Sequence, residues 1–372
     1  MRIPAYLSRQ SSRRSIVLAL ALSLCAVILP AQSNPSPLRI YSIDVEGGQA
    51  TLLVAPSGQS LLVDTGWPSV DSHSKDPYQQ GLHAAGFPDS NGRDVGRIQA
   101  AMHDAGITRL DYVLITHFHV DHVGGVPELV RHVQVGEFLD HGVNREDSDI
   151  TRHDYAAYLK AIGNTPRRIV HPGDTISLAG LSIIVLTADG EHISAIPGIQ
   201  PTPNSYCAAE KKWDPDPSEN ARSTGILVRF GKFRFLDLGD LTAAKEVALM
   251  CPNNPIGAVD LYLVTHHGMD ISNSRAIVNA IHPRVAIMNN GAHKAGMPDA
   301  WQRVHNSGNL EDLWQLHTAE DSDAAHNSPD ALIANPKSVA ADGAYLKVAA
   351  WPSGSFTVTN TRTGLTKHYP HK

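Results

Sequence analysis

Cysteine is almost missing from this chain. Three occur in 372 residues, and one of them, Cys25, lies in an N-terminal stretch that reads as a leader. No C-x-x-C spacing exists, so a cysteine-based metal site has no support, and Cys207 and Cys251 favour a single disulfide. Low-complexity runs and fixed-period repeats are also missing, which leaves an ordinary globular composition with 42% hydrophobic residues. Acidic residues are absent from residues 1–33, which hold four arginines and then the apolar run Ser15 to Ala31, ending in "AQS". This is the three-part pattern of a secretory signal peptide, and the run is short for a spanning helix. "SRRSIV" resembles a twin-arginine export signal, while Leu24 before Cys25 is too bulky for lipoprotein processing. Residues 1–33 are therefore expected to be a signal peptide, and 34–372 one exported domain, periplasmic or secreted, with no stable membrane span after processing. Loss of those four arginines takes the formal charge from −6 to −10, so an excess of basic charge is lacking too. That argues against a long nucleic acid as partner and towards a small molecule or a short phosphodiester.

What is present is a dense run of strands. "LRIYSIDV", "ATLLVAP" and "SLLVDTG" are β-rich and punctuated by Gly, Pro and Ser. Trp67 to about Gly92 reads as a long functional loop. "GRDVGRIQAAMHDAG" places Val95, Ile98, Met102 and Ala105 at helical spacing, with Gly106 as the cap. Strand and helix then alternate: "LDYVLIT", "TRHDYAAYLKAIG", "STGILVRFGKFRFLDLG", "TAAKEVALM", "DLYLVTHHG", "SRAIVNAIH" and "RVAIMNN", with a closing hairpin in "AYLKVAAWPSGSFTVTN". Hairpins followed by alternating elements predict an α/β (α+β) arrangement of packed sheets with helices outside.

At the end of one strand stands "THFHVDHVGG", with His117, His119, Asp121 and His122 within six residues. In an extended segment His117 and His119 share a face and can reach one ion. Asp121 and His122, being adjacent, are expected to point apart, towards a second ion. Imidazole and carboxylate donors favour zinc and permit iron or manganese. Further donors are expected at other strand ends: His192 in "TADGEH", Asp240 in "FLDLGDLT", and the doublet His266 and His267 in "YLVTHHG".

"THFHVDHVGG" resembles the H-x-H-x-D-H signature of the metallo-β-lactamase superfamily, and is most similar to the hydrolase domain of ComEC-type DNA-uptake proteins. "IDVEGGQATLLVAPSGQSLLVDTG", "SENARSTGILVRFGKFRFLDLGDL" and "DLYLVTHHG" extend the likeness over about residues 38 to 290. It implies a four-layer αββα sandwich with two divalent metal ions. By this resemblance His117, His119, Asp121, His122, Asp240 and His266 are ligands, with Asp240 bridging and His192 a further candidate. His267 falls to the pocket wall or the substrate, with exchange inside the doublet open, and Asp64 orients the cluster. Asp121, His267 and Asp64 are thus the candidate catalytic residues. The chain departs from the family's pattern at Ala50 after "GQ", in lacking the channel's membrane helices, and in some eighty residues beyond the doublet, expected as a loop and closing strands.

Two such ions sharing a water would bring its pKa towards neutrality and polarise the electrophile. The expected function is a metal-dependent hydrolase, acting on a phosphodiester by family likeness. Lactone, thioester or β-lactam hydrolysis is the alternative, and a non-catalytic binding protein or an oxygen-handling di-iron enzyme are readings of other classes. His141, Asn220 and Ser223 are candidates at the mouth for proton transfer.

Overall fold

Alternation along the opening strands decides the architecture. Leu38 and Ile40, Leu53, and Leu61 and Val63 enter one buried cluster, while Tyr41, Leu52, Val54 and Leu62 enter another. A strand with both faces buried needs a partner layer on each side. The first of these clusters also holds Val185, Ile226, Val228, Phe235, Leu261 and Ile287, which come from a second sheet. The intervening residues of that sheet, Ile184, Leu227, Leu236 and Tyr262, face a third cluster. Three apolar interiors separate four layers, and the result is an αββα sandwich of mixed α/β type.

The molecule is described here by a computed structural model covering residues 1–2, 36–71, 73–75, 77–84, 89–336 and 343–372. Beyond Met1 and Arg2, the expected leader lies outside the described residues. The chain divides after Asn34, and Pro35–Lys372 forms one unit. Among the described residues no helix is long and apolar enough to cross a membrane.

In the first sheet Leu38–Ser42, Thr51–Val54 and Ser60–Val63 run antiparallel, then Arg109–Leu114, Gln134–Asp140 and Arg167–Ile169 continue in parallel. On its far side Leu38–Ser42 pairs with Leu346–Ala350, followed by Phe356–Asn360 and Thr366–Tyr369. The second sheet contains the hairpin Gly225–Phe230 and Phe233–Asp237, then four parallel strands, Leu261–Leu263, Val285–Met288, Asp312–His317 and Ile333–Asn335. Helix Arg93–Ala105 covers the first sheet with Val95, Ile98, Met102 and Ala105, and ends at Gly106 with φ 68°. Asp149–Ile162 lies on the same side, its first turn capped by Ser148, which accepts from Thr151 N. Ala243–Met250 and Pro298–His305 cover the second sheet.

Three expectations change. The stretch after Trp67 contains a helix, Pro77–Ala84, hidden in the sequence by its small and polar residues. "SRAIVNAIH" yields only the single turn Arg275–Val278. Beyond 290 the closing strands and the hairpin Leu346–Ala350 and Phe356–Asn360 are present as expected, but the segment is more than a loop with closing strands, since it adds a helix, two strands to the second sheet and three to the first. The fully buried Trp314, inside the interior between the sheets, marks them as core. Cys207 and Cys251 form the expected disulfide, with their Cα atoms 5.8 Å apart.

Candidate metal centre

Both sheets deliver their active segments at the carboxyl ends of parallel strands, the usual place for a site in open α/β sheets. Arg109–Leu114 leads into His117–His122, Phe233–Asp237 into Asp240, and Leu261–Leu263 into the doublet His266–His267. His119 is extended, with φ −73° and ψ 150°, and opens the helical turn Val120–Val123. That turn corrects the expectation that Asp121 and His122 point apart. On a helix, neighbours are separated by about 100° rather than 180°, and both side chains enter one group of donors. The turn fits only because glycines surround it. A Cβ at Gly124 would overlap Val120 O and the Pro68 ring, one at Gly125 would overlap Thr65 O, and one at Gly48 would overlap Asp121 O.

Asp121, His122, Asp240 and His267 form this buried group. His122 Nε2 lies 3.4 Å from Asp121 Oδ2 and 3.2 Å from Asp240 Oδ2, and His267 Nε2 lies 3.4 Å from Asp121 Oδ2 and 3.2 Å from Asp240 Oδ1. The two Nε2 atoms are 3.2 Å apart. Asp240 also faces other imidazoles. His266 Nε2 is 3.3 Å and His117 Nε2 4.0 Å from its Oδ2, and the His117 and His119 rings are centred 4.7 Å apart. Within the doublet it is His267 that enters the four-donor group, while His266 faces the same Asp240 carboxylate at 3.3 Å. His266 stands against Asp240 beside Asn220 Nδ2, at 3.4 Å. His266 and His267 both have positive φ, 56° and 53°, which aims two consecutive rings at one carboxylate.

The surrounding hydrogen bonds assign the ring tautomers. Asp64 Oδ2 accepts from His122 Nδ1 at 2.7 Å, so the His122 Nε2 lone pair points into the group. Thr116 Oγ1 donates to Asp64 Oδ2 at 2.7 Å and therefore accepts from His117 Nδ1 at 3.0 Å. His117 Nε2 is then a buried lone pair without a hydrogen-bond partner. Ser272 Oγ donates to Leu241 O at 2.9 Å and accepts from His266 Nδ1 at 3.1 Å, which turns that Nε2 lone pair inward as well. Glu146 Oε2 accepts from His119 Nε2 at 2.8 Å, leaving Nδ1 for the interior. Lone pairs on several imidazoles, converging with two carboxylates in a water-poor pocket, repel one another unless cations sit among them. The donor set therefore fits divalent metal ions, and Asp240, placed between its two halves, fits two.

The protonation tendencies agree in part. Burial would raise the Asp121 and Asp240 carboxyls, but Lys294 and His122 around the first, and His122, His267 and His266 around the second, hold both well below the usual range. Burial pushes His117 well below its ordinary value, and pushes His266 down to about 4 against the pull of Asp240. His122 and His267 go the other way, because Asp240 and Asp121 outweigh burial. Metal binding must displace protons from these two rings.

His192 does not join the centre. It lies exposed in the short strand Glu191–His192, with Nδ1 3.2 Å from Ile193 O. Pairing of that strand with the carboxyl end of Ser182–Ala188 holds it on the outer edge of the second sheet, with Ser182–Ala188 and Gly225–Phe230 between it and the strand Phe233–Asp237 that leads to Asp240. His141 is buried rather than at the mouth, held by Glu219 Oε2 at 2.9 Å and packed on Phe118. Ser223 Oγ accepts from Asp240 N at 3.1 Å, and Asn220 keeps an unpartnered buried Oδ1. Sequence reasoning missed Glu146, Thr116, Ser272 and Lys294, whose ammonium touches Asp121 Oδ2. Thr116 adjoins the histidine run and was the findable one; the others arrive from loops with no spacing relation to the donors.

Residues 44–213 match the metallo-beta-lactamase superfamily. ComE operon protein 3 of Bacillus subtilis (strain 168) is 26% identical over 254 residues, 67% of this chain and 28% of that protein. Lactamase-like protein nscB of Trichophyton verrucosum (strain HKI 0517) is 30% identical over 130 residues, 35% of this chain and 40% of that protein. This chain thus spans less than half the length of either curated relative. Among solved structures, the metallo-beta-lactamase fold protein YhfI from Bacillus subtilis aligns over 75% of this chain and 96% of its own at 12% identity, with a TM-score of 0.40. With the αββα sandwich and the His/Asp centre at its strand ends, the match over residues 44–213 identifies a metallo-beta-lactamase superfamily domain in this chain.

Proposed function

We propose that this protein is an exported hydrolase that uses two divalent cations to cleave phosphodiester bonds. The observation that carries the reading is Asp240, buried between two sets of inward-facing imidazoles. His117, His119 and Asp240 would hold one cation, with His266 beside them, and Asp121, His122, His267 and Asp240 the other. Bound there, such cations supply Lewis-acid polarisation and make a water molecule acidic enough to act as nucleophile near neutral pH. The chain's own residues supply alignment. Asp64 and Thr116 fix His122 and His117, Glu146 fixes His119, and Ser272 fixes His266. Asn220, whose Nδ2 lies 3.4 Å from His266 Nε2, keeps its buried Oδ1 free to accept a hydrogen bond from the reacting group. The mature charge of −10 favours a small diester over a long polyanion. Export rests on residues 1–33, and N-terminal sequencing of secreted protein should begin near Asn34.

The test is turnover by zinc- and manganese-loaded protein of bis-p-nitrophenyl phosphate, a γ-lactone and a cephalosporin. Hydrolysis of the diester, abolished in Asp240→Asn, is expected. Turnover of the lactone or the cephalosporin alone would replace the phosphodiester reading.

A further inference from the structure

Lys294 is not a donor to the centre, yet it reaches it. Its ammonium contacts Asp121 Oδ2 and stands 4.5 Å from the centre of the Trp67 ring. Its side chain is 34% exposed and that of Asp121 only 8%, so the amine enters from the solvent side. The loop that carries it is tied to the ligand segments. Gly296 N donates to His267 O at 3.1 Å, Met297 N to Gly268 O at 2.9 Å, and Gly291 N to Lys294 O at 2.9 Å. Gly47 packs against the same loop so closely that a Cβ there would lie 2.8 Å from Gly291 N and 3.0 Å from Lys294 Cβ. Other basic side chains on neighbouring elements are engaged elsewhere. Arg97 pairs with Asp44 and Glu46, Arg145 with Asp189, and Lys245 donates to Gly190 O.

We infer that Lys294, backed by the Trp67 ring, is the anion anchor of the pocket and selects substrates with a formal negative charge beside the scissile bond. The inference rests on the hydrolase reading above and narrows its substrate class. Asp121 carries a single negative charge. Once cations share that carboxylate, its hold on the ammonium weakens, and the three N–H donors of Lys294 become available to an incoming anion. The indole face keeps the ammonium at the mouth through its quadrupole. A phosphodiester offers a charged oxygen to this group, and a neutral ester or lactone offers none.

Calorimetric titration of zinc-loaded protein with inorganic phosphate tests this without relying on turnover. Lys294→Met should weaken phosphate binding at least tenfold, Lys294→Arg should stay within threefold of wild type, and all three proteins should hold equal zinc. In steady state, Lys294→Met should raise KM for bis-p-nitrophenyl phosphate by a similar factor, with kcat within threefold. Equal phosphate affinity in wild type and Lys294→Met overturns the inference, as does no phosphate binding by wild type. Loss of zinc from Lys294→Met also overturns it, because Lys294 would then serve only to balance Asp121. Phosphate binding that depends on Lys294 in a protein inactive on the diester upholds the anchor and removes the phosphodiesterase reading instead.

Discussion

Asp64 is the most informative residue to change, because it acts on the centre without belonging to it. Its carboxylate accepts from Thr116 N at 2.8 Å, Thr116 Oγ1 at 2.7 Å and His122 Nδ1 at 2.7 Å. Asparagine is the clean substitution. Asp64 has φ 61°, a left-handed conformation that Asn tolerates and Ala resists. The amide oxygen can keep the Thr116 N bond, but the amide nitrogen then replaces Oδ2. Thr116 Oγ1 can turn to accept from it, whereas His122 Nδ1–H meets it donor to donor. The ring can keep a hydrogen bond only by moving its proton to Nε2, the atom that faces Asp121, Asp240 and His267. Loss of such an orienting partner typically weakens a metal site about 10- to 100-fold, or about 1.4–2.7 kcal/mol. Competition for zinc against a chromophoric chelator measures this directly, and urea unfolding of the metal-free proteins controls for a change in fold. Zinc affinities within twofold of each other, with both proteins folded, would refute the tautomer argument.

Four other outcomes are expected. Glu146→Gln should lower affinity for one equivalent of zinc more than for the other, seen as a split in a two-site titration, because among the metal donors His119 is the one that hydrogen-bonds to it. His192→Ala should leave zinc content and any turnover unchanged, by metal analysis and rate assay, since that ring is exposed at a sheet edge. Burial raises the Glu246 carboxyl to about 7 against the Asn273 and Ser274 N–H groups it accepts from. A raised native pKa contributes stability that is full below about 4.5 and lost as pH climbs through 7, amounting to about 3 kcal/mol at most. Wild-type stability in urea should therefore decline over that window, and Glu246→Gln should flatten the slope. Trp314→Ala should cost about 3–5 kcal/mol by the same assay, since that ring fills the interior between the sheets.

Much of this molecule is readable from its residue order. The strand alternation around Leu52 and Leu61, the helical spacing of Val95 and Ile98, and the dense donor run at 117–122 all announce themselves locally. The errors came where geometry depended on distant partners. His266 and His267 are indistinguishable in sequence, and only the folded backbone, left-handed at both, brings the His267 ring into the four-donor group. Asp121 and His122 are expected to point apart as neighbours, but the glycines at 48, 124 and 125 allow a helical turn to be pressed between neighbouring loops. His192 follows a strand as true donors do, but a strand pairing holds it at an edge. Lys294 is invisible by spacing, since its role comes from a loop stitched to the His267 backbone.

The way the polypeptide finishes has a practical bearing on dissecting it. The superfamily match stops at residue 213, but Asp240 and His267 lie past that point, and Leu346–Ala350 zips onto Leu38–Ser42 near the opposite terminus. Trimming to the recognised segment would discard half the cradle and bare a raw β-edge prone to sticking to other chains. Fragments cut at that boundary should precipitate rather than report on chemistry, whereas a circular permutant opened at the Ser57–Gly58 turn should survive.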